Sequence, residues 1–227
     1  MTSDLDTDSR QYAAKVAACR FNALESQAVF KLMLEALSRP GLIGQFPLEI
    51  QHRLPCVLAP VIVLADVETR IHIAQTSQFN WESALISATG ARPSVISTAD
   101  LIAIPFEAAE LISQVLESAP RGTAVAPEHG ARVIIGVRRI SSHEEEPAVN
   151  ESSHGLKLRL RGPGIKDERI VWVDGMSLQD IQTLQRSNAH FPSGIDVWMT
   201  TDNGQILGLP RSTHIVVEEH SSKQEAH

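Results

Sequence analysis

LIAIPFEAAELISQVLESAPRGTAVAPEHGARVIIGVRRI, residues 101–140, holds the alternation that decides the fold class. Its first four residues are an apolar run of strand length. Residues 106–118 carry Ala109, Ile112, Val115 and Leu116 on one side at helical spacing. A loop containing Gly and Pro follows, and residues 131–140 are strand-like again.

The same rhythm continues toward the N-terminus. A strand is expected at residues 94–97, and a helix at 77–89 with Ser77 as its cap and a break at Gly90-Ala91-Arg92-Pro93. A strand at 70–74 follows a turn at 66–69. Residues 54–64 are apolar nearly all round and predict a buried helix, with Pro55 suited to a first turn. A short strand is expected at 42–46. Residues 10–37 predict one helix whose apolar face is Val29, Phe30, Met33, Leu34, Ala36 and Leu37. Ser38-Arg39-Pro40-Gly41 stops it, because Pro cannot continue a helix and Gly accepts a left-handed cap.

Toward the C-terminus, residues 156–161 predict a strand and 177–187 a helix. Further strands are expected at 195–200, 205–209 and 214–217, the first two joined by an Asp202-Asn203-Gly204 hairpin turn. Residues 141–155, rich in Ser, Glu, Pro and His, predict an exposed acidic loop between strands that neighbour one another in a sheet. The sum is a single α/β domain over residues 10–217 with a mixed sheet, flanked by disordered tails at 1–9 and 218–227.

Composition limits the function. The chain has 227 residues, 43% hydrophobic and 21% charged, so it can bury a core without staples. Cys19 and Cys56 are too few for a disulfide framework or a cysteine-rich zinc site. The longest uncharged run, residues 54–65, is too short for a bilayer, which needs about twenty residues. With no signal segment read at the start, the expectation is a cytoplasmic protein without a membrane partner. Net charge is −7, most of it in the two tails, which leaves the body at −2 and argues against nucleic acid. Fifteen of the twenty basic residues are Arg, suited to bidentate contacts with carboxylate, phosphate or phosphonate.

Four sets of turns carry the candidate chemistry. Arg121–Gly130 contains Gly122, Pro127 and Glu128 but lacks the Gly-Lys-Ser/Thr of a phosphate loop. Arg159 and Arg161 fall on one face of a strand that ends in Gly162-Pro163-Gly164, where guanidiniums and glycine amides could hold an anion. Asp196 follows Phe191-Pro192-Ser193-Gly194, and Arg211-Ser212-Thr213-His214 follows the late hairpin. Arg159, Arg161, Arg211, Arg39, Glu128, Asp196 and His214 are therefore the candidate anion-binding or interface residues. Pro40, Gly41, Gly122, Pro127, Gly162, Pro163, Gly164, Pro192 and Gly194 shape the turns. No His set has metal-ligand spacing, so no metal is expected, and no nucleophile stands out.

Taken in order, residues 34–41, 122–128, 161–165, 191–196 and 209–214 resemble one family, the H subunit of the bacterial carbon–phosphorus lyase core complex (PhnH). The resemblance spans about residues 21–217; loop 141–155 is longer than expected for the family. It implies a three-layer α/β/α fold similar to that of pyridoxal-phosphate-dependent transferases, without their cofactor. It implies a subunit that assists displacement of adenine from ATP by an alkylphosphonate, giving ribose 1-alkylphosphonate 5-triphosphate. Implied partners are the G, I and J subunits, the ATP-binding K and L subunits, and a second copy in a homodimer. ATP or phosphonate contact within the complex is also implied. The rival readings are a self-sufficient pyridoxal-phosphate transferase, with Lys166 as the tolerable Schiff-base lysine, and a small-anion binding module.

Overall fold

Apolar runs alternate with amphipathic helices along the chain, and the computed structural model describes residues 2–74, 76, 80–142 and 155–218. In order, the elements are α1 (Thr2–Ala18), α2 (Ala23–Ser38), β1 (Gly44–Gln45), α3 (Leu48–Gln51), α4 (Ala59–Leu64) and β2 (Arg70–Ile73). Then come α5 (Glu82–Thr89), β3 (Arg92–Pro93), β4 (Leu101–Ile104), α6 (Ile112–Ser118), β5 (Arg132–Gly136) and β6 (Arg139–Ser142). The chain closes with β7 (Leu156–Arg161), β8 (Arg169–Asp174), α7 (Leu178–Ser187), β9 (Asp196–Thr200), β10 (Gln205–Leu209) and β11 (His214–Glu218).

Two sheets form. The larger has seven strands in the order β1-β10-β9-β5-β4-β2-β3. Its β9, β5, β4, β2 and β3 are parallel, while β10 and β1 are antiparallel, so it is mixed as expected. β4 is buried at every position, as a parallel strand covered on both faces must be. The second sheet, β11-β7-β8-β6, is antiparallel.

The apolar side chains divide between the faces of the large sheet. Ile71, Ile73, Leu101, Ala103, Ile134 and Trp198 pack with Val29, Met33 and Ala36 of α2 and with α4. Ile102, Ile104, Val133, Ile135, Val197 and Met199 pack on the other side with α6, α7 and the second sheet. The layer on that side is therefore part helix and part sheet, which the three-layer α/β/α expectation did not contain.

Several local expectations change. The helix expected at 10–37 is two helices, because Asn22 caps α2: its Oδ1 accepts from Glu25 N at 2.9 Å and Glu25 Oε2 accepts from Asn22 N at 2.8 Å. The tail expected at 1–9 is helical from Thr2, as the start of α1. α1 docks on α5 through Tyr12 Oη and Ser87 Oγ, 2.6 Å apart, and through Lys15, which lies 5.3 Å from the Trp81 ring centre. The tail expected at 218–227 has its first residue in β11, and 219–227 lie outside the described residues.

Residues 131–140 are two strands in different sheets, split at Val137-Arg138. Residues 94–97 are not a strand but lead into a 3-10 turn at Ile96–Thr98. The helix at 106–118 is a 3-10 turn, Phe106–Leu111, running into α6 with non-helical backbone at Ala108. The helix at 54–64 opens as a 3-10 turn at Cys56–Leu58, and the one at 77–89 begins only at Glu82. Ser77, its expected cap, and residues 143–154 of the expected acidic loop lie outside the described residues. β6 and β7 do share a sheet, but β8 separates them. α3 and β8 were not expected from the sequence, and the break expected at 90–93 contains β3.

Candidate functional site

β5 and β9 start side by side, with Arg132 opposite Asp196, and β10 ends beside them. The loops before β5, before β9 and after β10 therefore meet at the amino ends of the parallel strands. Arg211 ties them together. Its backbone N and Nε donate to Asp196 Oδ1 at 2.9 and 3.2 Å, and Nη2 donates to Oδ2 at 2.7 Å. Nη1 donates to the carbonyls of Pro127 at 2.6 Å and Pro192 at 3.4 Å.

The pair is mostly enclosed, with the Arg211 side chain 14% and the Asp196 side chain 20% exposed. Gly194 N donates to Arg121 O at 2.7 Å, and Asn188 Oδ1 accepts from Ile195 N at 2.8 Å. A Cβ on Gly130 would overlap the Gly194 carbonyl and stand 2.9 Å from Arg211 Nη1, so only glycine allows the two loops to close. Two large apolar side chains face outward from these braced loops, Val125 at 95% and Phe191 at 69% exposure, among exposed polar ones such as Arg121, Thr123 and His129. Glu128 is exposed beside them on the same loop.

The remaining motifs extend this strip. A Cβ on Gly162 would lie 2.9 Å from Ser212 O, and one on Gly164 2.9 Å from Pro40 Cδ. Arg169 Nη1 donates to Pro40 O at 3.1 Å and Arg39 O at 3.4 Å. The turns at 38–41, 162–164, 191–196 and 210–214 thus form one chain of contacts with Gly122–Gly130, although they lie far apart in sequence.

Arg159 and Arg161, expected as anion-binding or interface residues, are paired within the chain. Arg159 Nη1 contacts Glu168 Oε1 at 2.5 Å, and the same guanidinium is paired with Glu218. Arg161 Nη2 donates to Glu168 Oε2 at 2.8 Å, and Lys157 Nζ reaches Glu218 Oε2 at 2.8 Å. The Glu168 carboxyl is held below the usual range, first by Arg161 and then by Arg159. Glu218 is lowered first by Lys157 and then by Arg159. These guanidiniums hold carboxylates of their own chain. Arg211 likewise holds Asp196. Arg39 caps α2 through its backbone and keeps an exposed side chain, and His214 is exposed opposite Arg161.

The family-model comparison matches residues 18–216 to "Bacterial phosphonate metabolism protein (PhnH)". The chain belongs to the PhnH family. Among curated relatives, a putative C-P lyase subunit protein HtxG from Stutzerimonas stutzeri is 28% identical over 200 residues, covering 86% of this chain and 88% of the relative. The alpha-D-ribose 1-methylphosphonate 5-triphosphate synthase subunit PhnH of Rhizobium meliloti (strain 1021) is 24% identical over 198 residues, covering 84% and 90%.

The contact strip lies within the stretch that matches the PhnH model. This PhnH-family chain also has a cleft that the motif reading missed. It opens at the opposite, carboxyl ends of β4, β5 and β9, with a volume of about 410 Å³. Arg53, Trp81, Phe106, Glu107, Gly136 and Asp202 are among its lining residues. The usable signal was topological: in open parallel sheets ligands bind outside the carboxyl ends of strands. Arg53 Nη1 donates to Glu25 Oε1 at 2.9 Å, and its guanidinium carbon stands 4.9 Å from the Phe21 ring centre. Its Nε and Nη2 are buried with no hydrogen-bond partner among the described residues.

Lys166 is exposed in the β7–β8 turn and lines none of the described clefts. That setting offers a Schiff base no enclosure. Among the described residues no group of three or more His, Cys, Asp and Glu could hold a metal, and no helix is long and apolar enough to cross a membrane.

Proposed function

We propose that this chain is the H-type subunit of a carbon–phosphorus lyase assembly and assists displacement of adenine from ATP by an alkylphosphonate. In this reading it supplies binding surface, while bond-making groups come from the G, I, J, K and L subunits. A second copy completes a homodimer. The likeness to pyridoxal-phosphate transferases is one of fold, carried without their cofactor. The observation that supports the reading is the contact strip: the family's turns converge, Arg211 and Asp196 brace them from within, and Val125 and Phe191 face out.

Apolar side chains exposed on braced loops are suited to docking because little ordering entropy remains to be lost on binding. The partner is another protein of the assembly, the relatives being named as subunits of such assemblies. Purified chain mixed with ATP and methylphosphonate is expected to release no adenine; release requires the partner subunits. Adenine release by the chain alone ends this reading. The double variant Val125→Ser with Phe191→Ser is expected to keep its melting temperature and lose co-purification with the other subunits from phosphate-starved cells. Unchanged co-purification moves the docking surface elsewhere.

A further inference from the structure

Residues that carry unmet polar groups of both kinds line the cleft outside β4, β5 and β9. Arg53 carries one N–H on Nε and two on Nη2, and these nitrogens are buried without an acceptor among the described residues. A buried donor left unpaired costs about 1–3 kcal/mol, so the site favours anything that brings an acceptor. Arg53 lines the cleft, while its Nη1 is taken by Glu25 and one face of its plane is covered by Phe21. Glu107 and Asp202 are exposed at the same cleft, and neither has a hydrogen-bond or ion-pair partner among the described residues. Trp81 and Phe106 supply apolar wall between them. The cations stacked on these rings, Lys15 and Arg138, are engaged with Asn80 and Asp174.

We propose that this cleft binds a small zwitterion, its oxyanion end held by Arg53 and its protonated amine by Glu107 and Asp202. A plain anion meets two uncompensated carboxylates, because Glu25 already balances Arg53. A plain cation leaves the guanidinium donors unmet. A molecule carrying both ends satisfies both sets, and the volume suits a small ligand. The choice of an aminoalkylphosphonate as the ligand rests on the proposed function; the charge pattern rests on the residues alone. The cleft is at the far ends of the parallel strands from the docking strip, so the two are separable by experiment.

The test is calorimetric titration of the full chain with 2-aminoethylphosphonate, methylphosphonate and inorganic phosphate in parallel. Binding of 2-aminoethylphosphonate at least about tenfold tighter than the other two is expected, that ratio corresponding to one modest ion pair. Glu107→Gln with Asp202→Asn is expected to remove this preference and to bind methylphosphonate more tightly than the native chain does, since the carboxylates that repel a plain anion are gone. Arg53→Gln should abolish binding of all three. Arg53 also anchors Glu25, so if that variant fails to fold, the exposed carboxylate pair carries the test alone. Equal affinity for methylphosphonate, an unaltered preference in the carboxylate variant, or no binding of 2-aminoethylphosphonate overturns the proposal. A chain that binds no zwitterion yet co-purifies with the phosphonate proteins overturns the cleft alone; one that binds but does not join them overturns the assembly reading alone.

Discussion

Arg211 shows how a residue that reads as ligand chemistry becomes structure. Its guanidinium and backbone N use five hydrogen bonds on one carboxylate and two loop carbonyls. Removing one partner leaves the other charge in a largely enclosed site. Arg211→Met is expected to destabilise the fold by about 2–3 kcal/mol, at and below the low end of the roughly 3–5 kcal/mol for a fully buried pair because some solvent remains. Asp196→Asn should cost a similar amount. Urea unfolding of the double variant should show less than the sum, since both changes break one interaction. The cysteines give a second test at this scale. Burial pushes the Cys19 and Cys56 thiols up to about 11. A disulfide reagent at pH 8 is expected to find no reactive thiol in the native chain and two after denaturation. Two reacting before denaturation would contradict the burial.

Gly208 sets how closely an element packs. It lies on β10 where α2 crosses, and an added Cβ would stand 2.5 Å from the carbonyl carbon and oxygen of Ala36. That obstacle is helix backbone and cannot swing aside. Gly208→Ala is therefore expected to push α2 from the sheet and cost about 1–3 kcal/mol in chemical denaturation. The start of the same helix is set by Asn22, and Asn22→Ala should remove about 1 kcal/mol with loss of the capping box. Both substitutions act on α2, whose Glu25 holds Arg53 and whose end leads into the 38–41 turn.

The whole molecule is expected to be most stable between the carboxylate and thiol ranges of pH. Asp100 is lowered first by the Arg70 side chain, Glu25 by Arg53, and Glu168 by Arg161. Each has a folded pKa below its unfolded one. Their stabilisation is complete above about pH 4 to 5, where the unfolded carboxyls are ionised, and is lost as pH falls through the folded values. The thiols act in the opposite sense. Their folded pKa of about 11 exceeds the ordinary 9.0, so stability declines as pH rises from that ordinary value through the folded one. Melting temperatures by circular dichroism should be level from pH 5 to 8 and fall on both sides. Arg70→Gln should reduce the acid-side slope; an unchanged slope would show that its pair with Asp100 contributes nothing.

Periodicity in the chain marked much of the core, because burying apolar area is the dominant drive, but Phe30 and Leu34 of the apolar face expected on α2 stand 43% and 52% exposed, since of that face only Val29, Met33 and Ala36 are buried against the sheet. β4, β7, α7 and the β9–β10 hairpin were all legible this way, as was the ordered set of turns that carries the family resemblance. Tertiary structure decided what local pattern cannot encode. The apolar run at 131–140 continues through a change of sheet, since hydrophobicity does not say which neighbour a strand will take. The arginines of β7 look equally free in sequence whether or not Glu168 and Glu218 lie across from them. The cleft around Arg53 exists because three parallel strands end at one level, a fact of register between segments that sequence spacing does not record.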